Sequence, residues 1–533
     1  MSEDLRVARH AGTIGAATLL SRLLGLVREQ VMAGLFGAGL ATDAFNVAFR
    51  VPNLLRDLFA EGAMSSAFVP TFTQVWKTRG EGEAWALGRQ LMVTLLAVLA
   101  VLSAAGVAFA PALVGLLAPG FGSVAGKLDL TVTLTRVMLP FLPAVALAAV
   151  AMGMLNARGR FAVPALAPAL LNVVMVGAGV ALIPVCRAWG QPPILAMALG
   201  VVLGGVAQFV CQLPALGAEG FHLRPEWPRR DPGVARVAAL MLPATVGLAG
   251  TQLNVFVSTL IASLMAQGSV SWLAYAFRLM QLPIGVFGVA LATVSLTGLS
   301  RAAADQDMPA LKTTLSATLR LVFALTLPAS LWLAVMARPL VGLLYEHGRF
   351  GAADTAQTAG ALVMYCVGLP AFAATGVLTR AFYALGDTAP AVRASFGAVA
   401  VNLALNLLFV GPLRFLGMEH RGLALATSVA ALANSIQLAW YLRRRIGPIE
   451  GRRITAGAAR ALAASVVALL PSAAALLWLG EGWRGGWMRE GLFVGSSLLI
   501  SIAAGWGAMK LFRVEELPAI AELGGAVFAR FRR

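Results

Sequence analysis

The chain has 533 residues, of which 59% are hydrophobic and 12% are charged, and its mean hydropathy is +0.81. A soluble domain carries about 25% charged residues, so this composition excludes an ordinary soluble protein and predicts a membrane protein. The formal net charge of +17 would suggest a nucleic-acid partner in a soluble chain. Because the basic residues do not interleave with aromatic ones as a stacking surface requires, we expect no nucleic-acid partner.

Apolar segments of membrane-spanning length recur along the whole chain. A spanning helix needs about 20 such residues. Prolines inside several segments, among them Pro140, Pro143 and Pro370, predict kinked helices. We predict an all-α polytopic membrane protein with 14 transmembrane helices at 12–36, 43–76, 86–118, 129–156, 163–185, 192–214, 235–266, 270–300, 312–344, 355–384, 390–412, 420–442, 456–479 and 490–511.

Basic residues are distributed unevenly between the two sides of the predicted helices. With both termini placed inside, the tails and inner loops hold about 25 Lys and Arg residues and the outer loops about 8. This bias predicts that both termini lie in the cytoplasm. The 3 cysteines and 4 histidines lack metal-ligand spacing, so we expect no disulfide, no structural metal and no cofactor.

Charged and polar side chains lie inside the first two predicted spans. A charge at the bilayer centre costs about 2.5–3.5 kcal/mol, so these residues predict a wet, charged cavity. Two alternatives stay open: an ion pair in span 1 that only locks helix packing, and internal pairing of the charges in span 2. Span 1 carries Arg22, Arg28 and Glu29, and one face of span 2 carries Asp43, Asn46, Arg50, Asn53, Asp57 and Glu61, with Arg56 beside it.

Short matches at a nearly constant offset indicate an internal repeat of half the chain. Ala48-Phe49-Arg50 matches Ala276-Phe277-Arg278, and Leu139-Pro140 followed by Asn172 matches Leu369-Pro370 followed by Asn402. Six duplicated helices would form two lobes related by a pseudo-two-fold axis along the membrane normal. The predicted domains are an N-lobe at 1–218, a cytoplasmic linker at 219–234, a C-lobe at 235–446, and helices 13 and 14 with a basic tail at 447–533.

Arginines inside the spans predict the chemistry of the substrate. A buried arginine is costly unless it meets water, an acid or an anion, and its planar donors suit phosphate. Arg22, Arg28, Arg56 and Arg278 therefore favour an anionic substrate, a phosphate or pyrophosphate. The chain has no Walker loop, no zinc-protease motif and no nucleophile elbow, so we do not expect an enzyme.

Asn402 and Asn406 share a helix face, and Thr427 follows in the next predicted span. Their oxygens could bind a small monovalent cation. A neutral hydrogen-bond cluster between the helices is the alternative, and both stay open.

Several long motifs along the chain are specific enough to indicate a family. They are Ser21-Arg22-Leu23-Leu24-Gly25-Leu26-Val27-Arg28-Glu29, Phe36–Phe45, Val51–Arg56, Phe59–Ala63, Ala67–Pro70, Ala118-Pro119-Gly120-Phe121, Pro164–Pro168 with Leu171-Asn172, and Gly268-Ser269-Val270-Ser271-Trp272. In these motifs the chain closely resembles the MurJ (MviN) family of lipid II flippases, in the multidrug/oligosaccharidyl-lipid/polysaccharide exporter superfamily.

The resemblance implies fourteen helices and transport of the peptidoglycan precursor lipid II, an undecaprenyl-pyrophosphate-linked muropeptide, to the outer leaflet of the bacterial inner membrane. It implies a groove for the polyprenyl tail at helices 13 and 14. Membrane lipids and cell-wall synthesis proteins are the implied partners, and a monovalent cation or the membrane potential the implied driver. It places substrate-binding residues at Arg22, Arg28, Glu29, Arg56 and Arg278, and gate residues at Asp43, Asn53 and Glu61.

Three positions depart from the family pattern. Familiar members carry acids where this chain has Phe277 and Gln281, and a reported sodium site uses a carboxylate where this chain has Asn406.

Three other functions stay open. An exporter of another polyprenyl-linked glycan or a drug would want fewer cavity arginines or only twelve spans. A non-transporting scaffold for cell-wall enzymes would tolerate neutralised charges in spans 1 and 2, and a membrane glycosyltransferase would need acid/base or metal residues.

Overall fold

The computed structural model describes residues 3–56, 62–224, 227, 229, 231–522 and 525, and every regular element in this part of the chain is helical. Two short 3-10 helices, Pro119–Ser123 and Arg414–Leu416, lie between the α-helices. The α-helices are α1 (Glu3–Phe36), α2 (Leu40–Arg56), α3 (Gly62–Arg79), α4 (Glu81–Ala108), α5 (Ala110–Leu117), α6 (Lys127–Met138), α7 (Phe141–Ala157), α8 (Ala162–Ala188), α9 (Ile194–Val210), α10 (Leu213–Ala218), α11 (Pro232–Ser263), α12 (Ser269–Ala304), α13 (Met308–Val335), α14 (Ala337–Tyr345), α15 (Ala352–Ala384), α16 (Ala389–Val410), α17 (Glu419–Ile446), α18 (Gly451–Leu479) and α19 (Trp487–Leu511).

The predicted spans coincide with these helices. Each predicted segment falls on one helix or on two consecutive helices. In the segment 43–76, residues 57–61 between α2 and α3 lie outside the described residues. Within the described residues, 10 helical segments are long and apolar enough to cross a membrane. The prediction of an all-α, multi-pass membrane protein is confirmed.

Proline explains the break between α4 and α5. Pro111 has no backbone N–H, and its ring excludes the carbonyl four residues earlier, which belongs to Val107. The Arg136 guanidinium of α6 donates from Nε to this Val107 oxygen at 3.2 Å. The helix is therefore interrupted at Phe109 within the predicted segment 86–118, and a neighbouring helix satisfies the released carbonyl.

Helix boundaries repeat along the chain. The break after α4 lies at Phe109, with φ −91° and ψ 11°, and the break after α13 lies at Met336, with φ −91° and ψ 12°. The two residues are 227 positions apart. Because the same backbone geometry interrupts both helices, this break is duplicated in the two halves of the chain.

A pair of serine hydrogen bonds fixes the register of the repeat. Ser103 donates through its hydroxyl to the Leu139 carbonyl at 3.1 Å, and Ser330 donates to the Cys366 carbonyl, each bond spanning 36 residues. Each acceptor precedes a proline by four residues, Pro143 or Pro370, and so lacks its usual helical donor. The structure thus aligns Pro370 with Pro143 at an offset of 227, three residues away from the Pro140 alignment predicted from the sequence.

The chain divides into two compact units, Met1–Ser271 and Trp272–Arg533. In the first unit, α1 packs on α8, α2 on α6, and α8 on α9, while α11 lies along α3. The first unit therefore includes α11 and the first residues of α12. The division into lobes at 1–218 and 235–446 stays a prediction.

In the second unit, α15 packs on α17, α16 on α17, and α18 on both α13 and α19. Buried serines of α18 and α19 form hydrogen bonds with each other and with α13. The Ser472 and Ser501 hydroxyl oxygens are 2.7 Å apart, Ser497 donates to Ser472 at 2.8 Å, and the Trp332 indole donates to Ser497 at 3.3 Å. Small polar residues allow such close contacts between apolar helices. The predicted tail groove at α18 and α19 stays a prediction.

Candidate functional site

Arg28 of α1 lies in a group of polar side chains between α1 and α8. Its Nη2 is 2.6 Å from the Glu29 carboxylate, and its Nη1 donates to the Asn172 side-chain oxygen of α8 at 3.2 Å. The Arg28 side chain is only 12% exposed and that of Glu29 16%. A half-buried arginine is thus paired with an acid and oriented by an amide, and its two bonds leave other guanidinium donors for an anion.

Asn172 is held in the orientation that accepts from Arg28. Its Nδ2 donates to the Ser21 carbonyl of α1 at 3.4 Å and to the Pro168 carbonyl of its own helix at 3.2 Å. Since both neighbours of Nδ2 are acceptors and the neighbour of Oδ1 is a donor, the network fixes which amide atom faces which group. Gly25 of α1 is buried opposite this amide, where a Cβ would lie 3.9 Å from Nδ2.

The other predicted charges of the first unit lie on α1 and α2. Arg22 is exposed on α1, while Asn53 and the last residue of α2, Arg56, are half-buried. Glu61, the third predicted gate residue, lies outside the described residues, as does Asp57. The structure therefore brings Arg28 and Glu29 together, and the roles assigned to the remaining residues stay predictions.

Asp43, the first predicted gate residue, is buried at the start of α2 and bound on all sides. One carboxylate oxygen accepts from the Ser271 backbone N–H at 3.0 Å and from the Ser271 hydroxyl at 2.6 Å. The other accepts from the Gly268 N–H at 2.8 Å and from Lys127 Nζ at 2.8 Å. Four donors fill the acceptor positions of one carboxylate, so Asp43 caps the N-terminus of α12 from another helix.

Two backbone turns, one before α2 and one before α12, position Asp43 and its donors. Gly37 and Gly268 adopt positive φ angles of 70° and 99°, which favour glycine. The Thr42 hydroxyl donates to the Gly37 carbonyl at 2.7 Å and closes the turn before α2. On the other side, the turn at Gly268 directs two N–H groups of the α12 N-terminus towards Asp43.

Two residues at these sites were not predicted as functional. Lys127 begins α6 and is only 3% exposed, and its ion pair with Asp43 was missed because it lay just outside predicted span 4. The sequence carried one signal for Lys127: it lies in a predicted outer loop, although most basic residues lie in the inner loops. Asn172 was noticed only as a repeat marker and as part of a family motif, because a single buried amide carries no pattern that predicts a role.

Arg278 belongs to the second unit, on α12, where it is half-buried. The preceding residue, Phe277, contacts the rings of Tyr365 and Phe372 of α15, with centroid distances of 5.3 and 6.5 Å. The side chain that replaces the family's acid thus makes aromatic contacts within this unit. The prediction that Arg278 binds substrate is not tested by this arrangement.

Asn402 and Asn406 of α16 are fully buried. Asn406 Nδ2 donates to the Asn402 side-chain oxygen at 2.7 Å, and Asn402 Nδ2 donates to the Thr427 hydroxyl at 3.3 Å. Thr427 in turn donates to the Leu423 carbonyl at 2.9 Å. These contacts are those of an interhelical hydrogen-bond cluster, while a cation site at these residues stays a prediction.

Comparisons with known proteins agree with the sequence motifs. Residues 32–498 match the family described as "Lipid II flippase MurJ". The lipid II flippase MurJ of Burkholderia cenocepacia is 40% identical over 437 residues, which cover 81% of this chain and 83% of the relative. The probable lipid II flippase MurJ of Vibrio cholerae is 36% identical and covers 85% and 87% of the two chains.

Solved structures agree with the fold. A lipid II flippase MurJ in an inward closed conformation has a TM-score of 0.76 at 24% identity and covers 94% of this chain and 98% of its own. An inward-facing multidrug resistance transporter of the MATE family has a TM-score of 0.66 at 15% identity, covering 83% and 99%. The family match and the relatives together show that this chain belongs to the lipid II flippase MurJ family.

Proposed function

We propose that this protein is a lipid II flippase of the bacterial inner membrane, a transporter and not an enzyme. It moves the polyprenyl-pyrophosphate-linked muropeptide from the cytoplasmic to the outer leaflet by alternating access. The observation that carries the proposal is Arg28, which lies inside a membrane helix with Glu29 and Asn172 on two of its donors. Its other donors suit a pyrophosphate, because a guanidinium binds phosphate oxygens in pairs.

The orientation we propose places both termini in the cytoplasm. Two loops predicted to be cytoplasmic meet in the first unit, where Arg158 and Arg160 donate to Glu219 at 3.2 and 2.6 Å. Three loops predicted to be outer meet at the Asp43 site, through Lys127 and the turn at Gly268. The inner loops contact inner loops and the outer loops contact outer loops, as this topology requires.

The gate function that we propose for Asp43 follows from its partners. Asp43 lies on α2, while Gly268 and Ser271 begin α12, the helix that corresponds to α2 in the repeat. Opening the outer side separates these helices and breaks three hydrogen bonds to Asp43. Lipid II drives the cycle only if it binds the closed or occluded state more tightly than the open one. Neutralising the charge of Arg28 by the pyrophosphate would supply that difference.

From the sequence, we also propose that Arg22, Arg56 and Arg278 bind the pyrophosphate. The proposed partners are membrane lipids and cell-wall enzymes, and the proposed driver is the membrane potential or a monovalent cation. A related exporter of another polyprenyl-linked glycan is the second candidate, favoured by the similarity of the fold to other exporters of the superfamily.

Complementation tests the proposal. A bacterium depleted of its own lipid II flippase receives the wild-type chain, Arg28→Ala, or Arg187→Ala as a control on an exposed arginine at the end of α8. We expect growth and outer-leaflet lipid II with the wild type and the control, and neither with Arg28→Ala at equal membrane levels. Rescue by Arg28→Ala would remove Arg28 from the site, and failure of the wild type would favour the other exported substrate or the scaffold.

Reconstituted vesicles separate the two transport candidates. Labelled lipid II and a polyprenyl-pyrophosphate carrying a different glycan are placed in the same vesicles, and the exposure of each headgroup on the opposite face is followed. Selective movement of lipid II supports the flippase. Equal movement of both would contradict selectivity for the muropeptide.

A further inference from the structure

Two of the motifs that the sequence analysis singled out flank one buried lysine. Ala118–Phe121 leads into the Pro119–Ser123 turn, where the Phe121 ring lies 4.0 Å from Lys127 Nζ, measured to the ring centroid. The motif that begins at Gly268 supplies the N–H groups bound to Asp43. Lys127 is therefore enclosed by an aromatic face and a carboxylate, with a side-chain exposure of only 3%.

The Pro119–Ser123 3-10 helix packs directly against the end of α11. A Cβ on Gly120 would lie 2.1 Å from the Ser263 carbonyl oxygen, so the two backbones are in close contact. The Gly120 N–H also donates to the Ser263 hydroxyl at 3.4 Å. These contacts position Phe121, whose ring lies against the Lys127 ammonium.

The four donors to Asp43 belong to two groups. Lys127 is on α6, which packs along α2, the helix that carries Asp43. Gly268 and Ser271 are at the start of α12. Separation of α12 from α2 would therefore remove three hydrogen bonds and leave the Lys127–Asp43 ion pair in place.

We propose that Lys127 is a positioning residue of the outer gate, which compensates the buried Asp43 carboxylate and keeps it aimed at the α12 N-terminus. The inference rests on the proposed alternating-access function. In the closed state the lysine compensates a buried carboxylate, and in the open state water can hydrate both groups. Since removing one partner of a buried pair leaves an uncompensated charge, loss of Lys127 destabilises the closed state more than the open one.

A cross-linking experiment measures this equilibrium without substrate. A Cβ on Gly39 would lie 3.5 Å from the Gln267 side-chain nitrogen, so cysteines at these two outer positions report closure. Both are introduced into a full-length chain whose three native cysteines are replaced by alanine, and a short bifunctional thiol reagent is applied to membranes. We expect Lys127→Met to lower the cross-linking rate at least about tenfold relative to the reporter chain.

Charge-conserving and distant variants serve as controls. Lys127→Arg keeps the cation and is expected to restore most of the cross-linking, whereas a purely steric role would not be rescued by the larger side chain. Lys77→Met changes an exposed lysine of the same unit and is expected to have no effect. Folding is checked by size-exclusion chromatography and thermal unfolding of each purified variant.

Cross-linking of folded Lys127→Met at the reporter rate would overturn the proposal and leave lipid II transport untouched. If Lys127→Met does not reach the membrane, the double variant Asp43→Asn/Lys127→Met is compared with Asp43→Asn alone. The double variant buries no unpaired charge, so we expect it to cross-link faster, and an equal rate would overturn the proposal. A wild-type chain that fails the complementation assay would instead refute the proposed function, whatever the cross-linking shows.

Discussion

Substitutions of Asn172 distinguish two roles for Arg28. Arg28 either binds an anion or forms an ion pair that only stabilises helix packing. Asn172→Leu removes the 3.2 Å bond from Arg28 and the two bonds that hold the amide. A hydrogen bond to a charged group contributes about 1.5–3 kcal/mol, so misplacing Arg28 should weaken lipid II binding by about tenfold to a hundredfold. Asn172→Asp instead places a second carboxylate beside Arg28. Two unit charges 4 Å apart interact by about 4 kcal/mol at an effective dielectric constant of 20.

The two roles predict opposite orders of effect. If Arg28 binds pyrophosphate, the added carboxylate of Asn172→Asp competes with and repels the substrate, so lipid II binding should fall further than in Asn172→Leu. If Arg28 only locks α1 onto α8, Asn172→Asp should be tolerated because it strengthens that ion pair. Lipid II affinity is measured in nanodiscs at two salt concentrations, beside thermal unfolding of each variant. Binding by Asn172→Asp equal to or tighter than that of Asn172→Leu would refute the anion-site reasoning.

Three further perturbations follow from the structure. Ser103→Ala and Ser330→Ala each remove one hydrogen bond to a helical carbonyl whose usual donor position is a proline, so each should lower the free energy of unfolding by about 0.5–1.5 kcal/mol, measured by thermal unfolding in detergent. Gly120→Ala should abolish folding or transport, because its Cβ would overlap a carbonyl of α11, while Gly122→Ala, with no atom within 4 Å, should behave as wild type. The hydrogen bond from a neighbouring arginine lowers the pKa of Glu219 below its ordinary 4.5. Its stabilising contribution is therefore complete above pH 4.5 and is lost as the pH falls through the lower folded value, so the unfolding temperatures of wild type and Glu219→Gln should converge on acidification.

Hydropathy was sufficient to predict the helices but not their exact breaks. A run of apolar residues sets the length of a span, and a backbone that crosses lipid must satisfy its own hydrogen bonds, which favours a helix. The interruption at Phe109 depends on Pro111 and on the release of one carbonyl to Arg136, which is a contact between helices. The sequence therefore predicted one segment at 86–118, whereas the structure divides it where a neighbouring helix donates a hydrogen bond to the released carbonyl.

The candidate site was predicted in part, for physical reasons that differ between residues. Arg28 and Glu29 were recognised because charges are rare in lipid. Their positions about 100° apart on the helix suggested separate faces, yet the long side chains pair directly at 2.6 Å. Lys127 was missed because hydropathy placed it in a loop. A buried lysine near a loop is recognised only when its carboxylate partner is known, and that partner lies 84 residues away.

The repeat preserves a hydrogen bond within each half and differs at one charged position, Asp43, where two equivalent residues meet. The Ser103 and Ser330 bonds compensate equivalent prolines, so each half retains its own copy. Asp43 and Ser271 are separated by 228 positions, which makes them equivalent in the repeat, and they are hydrogen-bonded to each other. Two aspartates at these positions would place carboxylates within hydrogen-bond distance, and like charges 4 Å apart repel by about 4 kcal/mol at an effective dielectric constant of 20. Two carboxylates are therefore disfavoured at these contacting positions, and a carboxylate in one half calls for donors in the other. Asp43 and Ser271 meet this condition, since Ser271 supplies two of the four donors to Asp43.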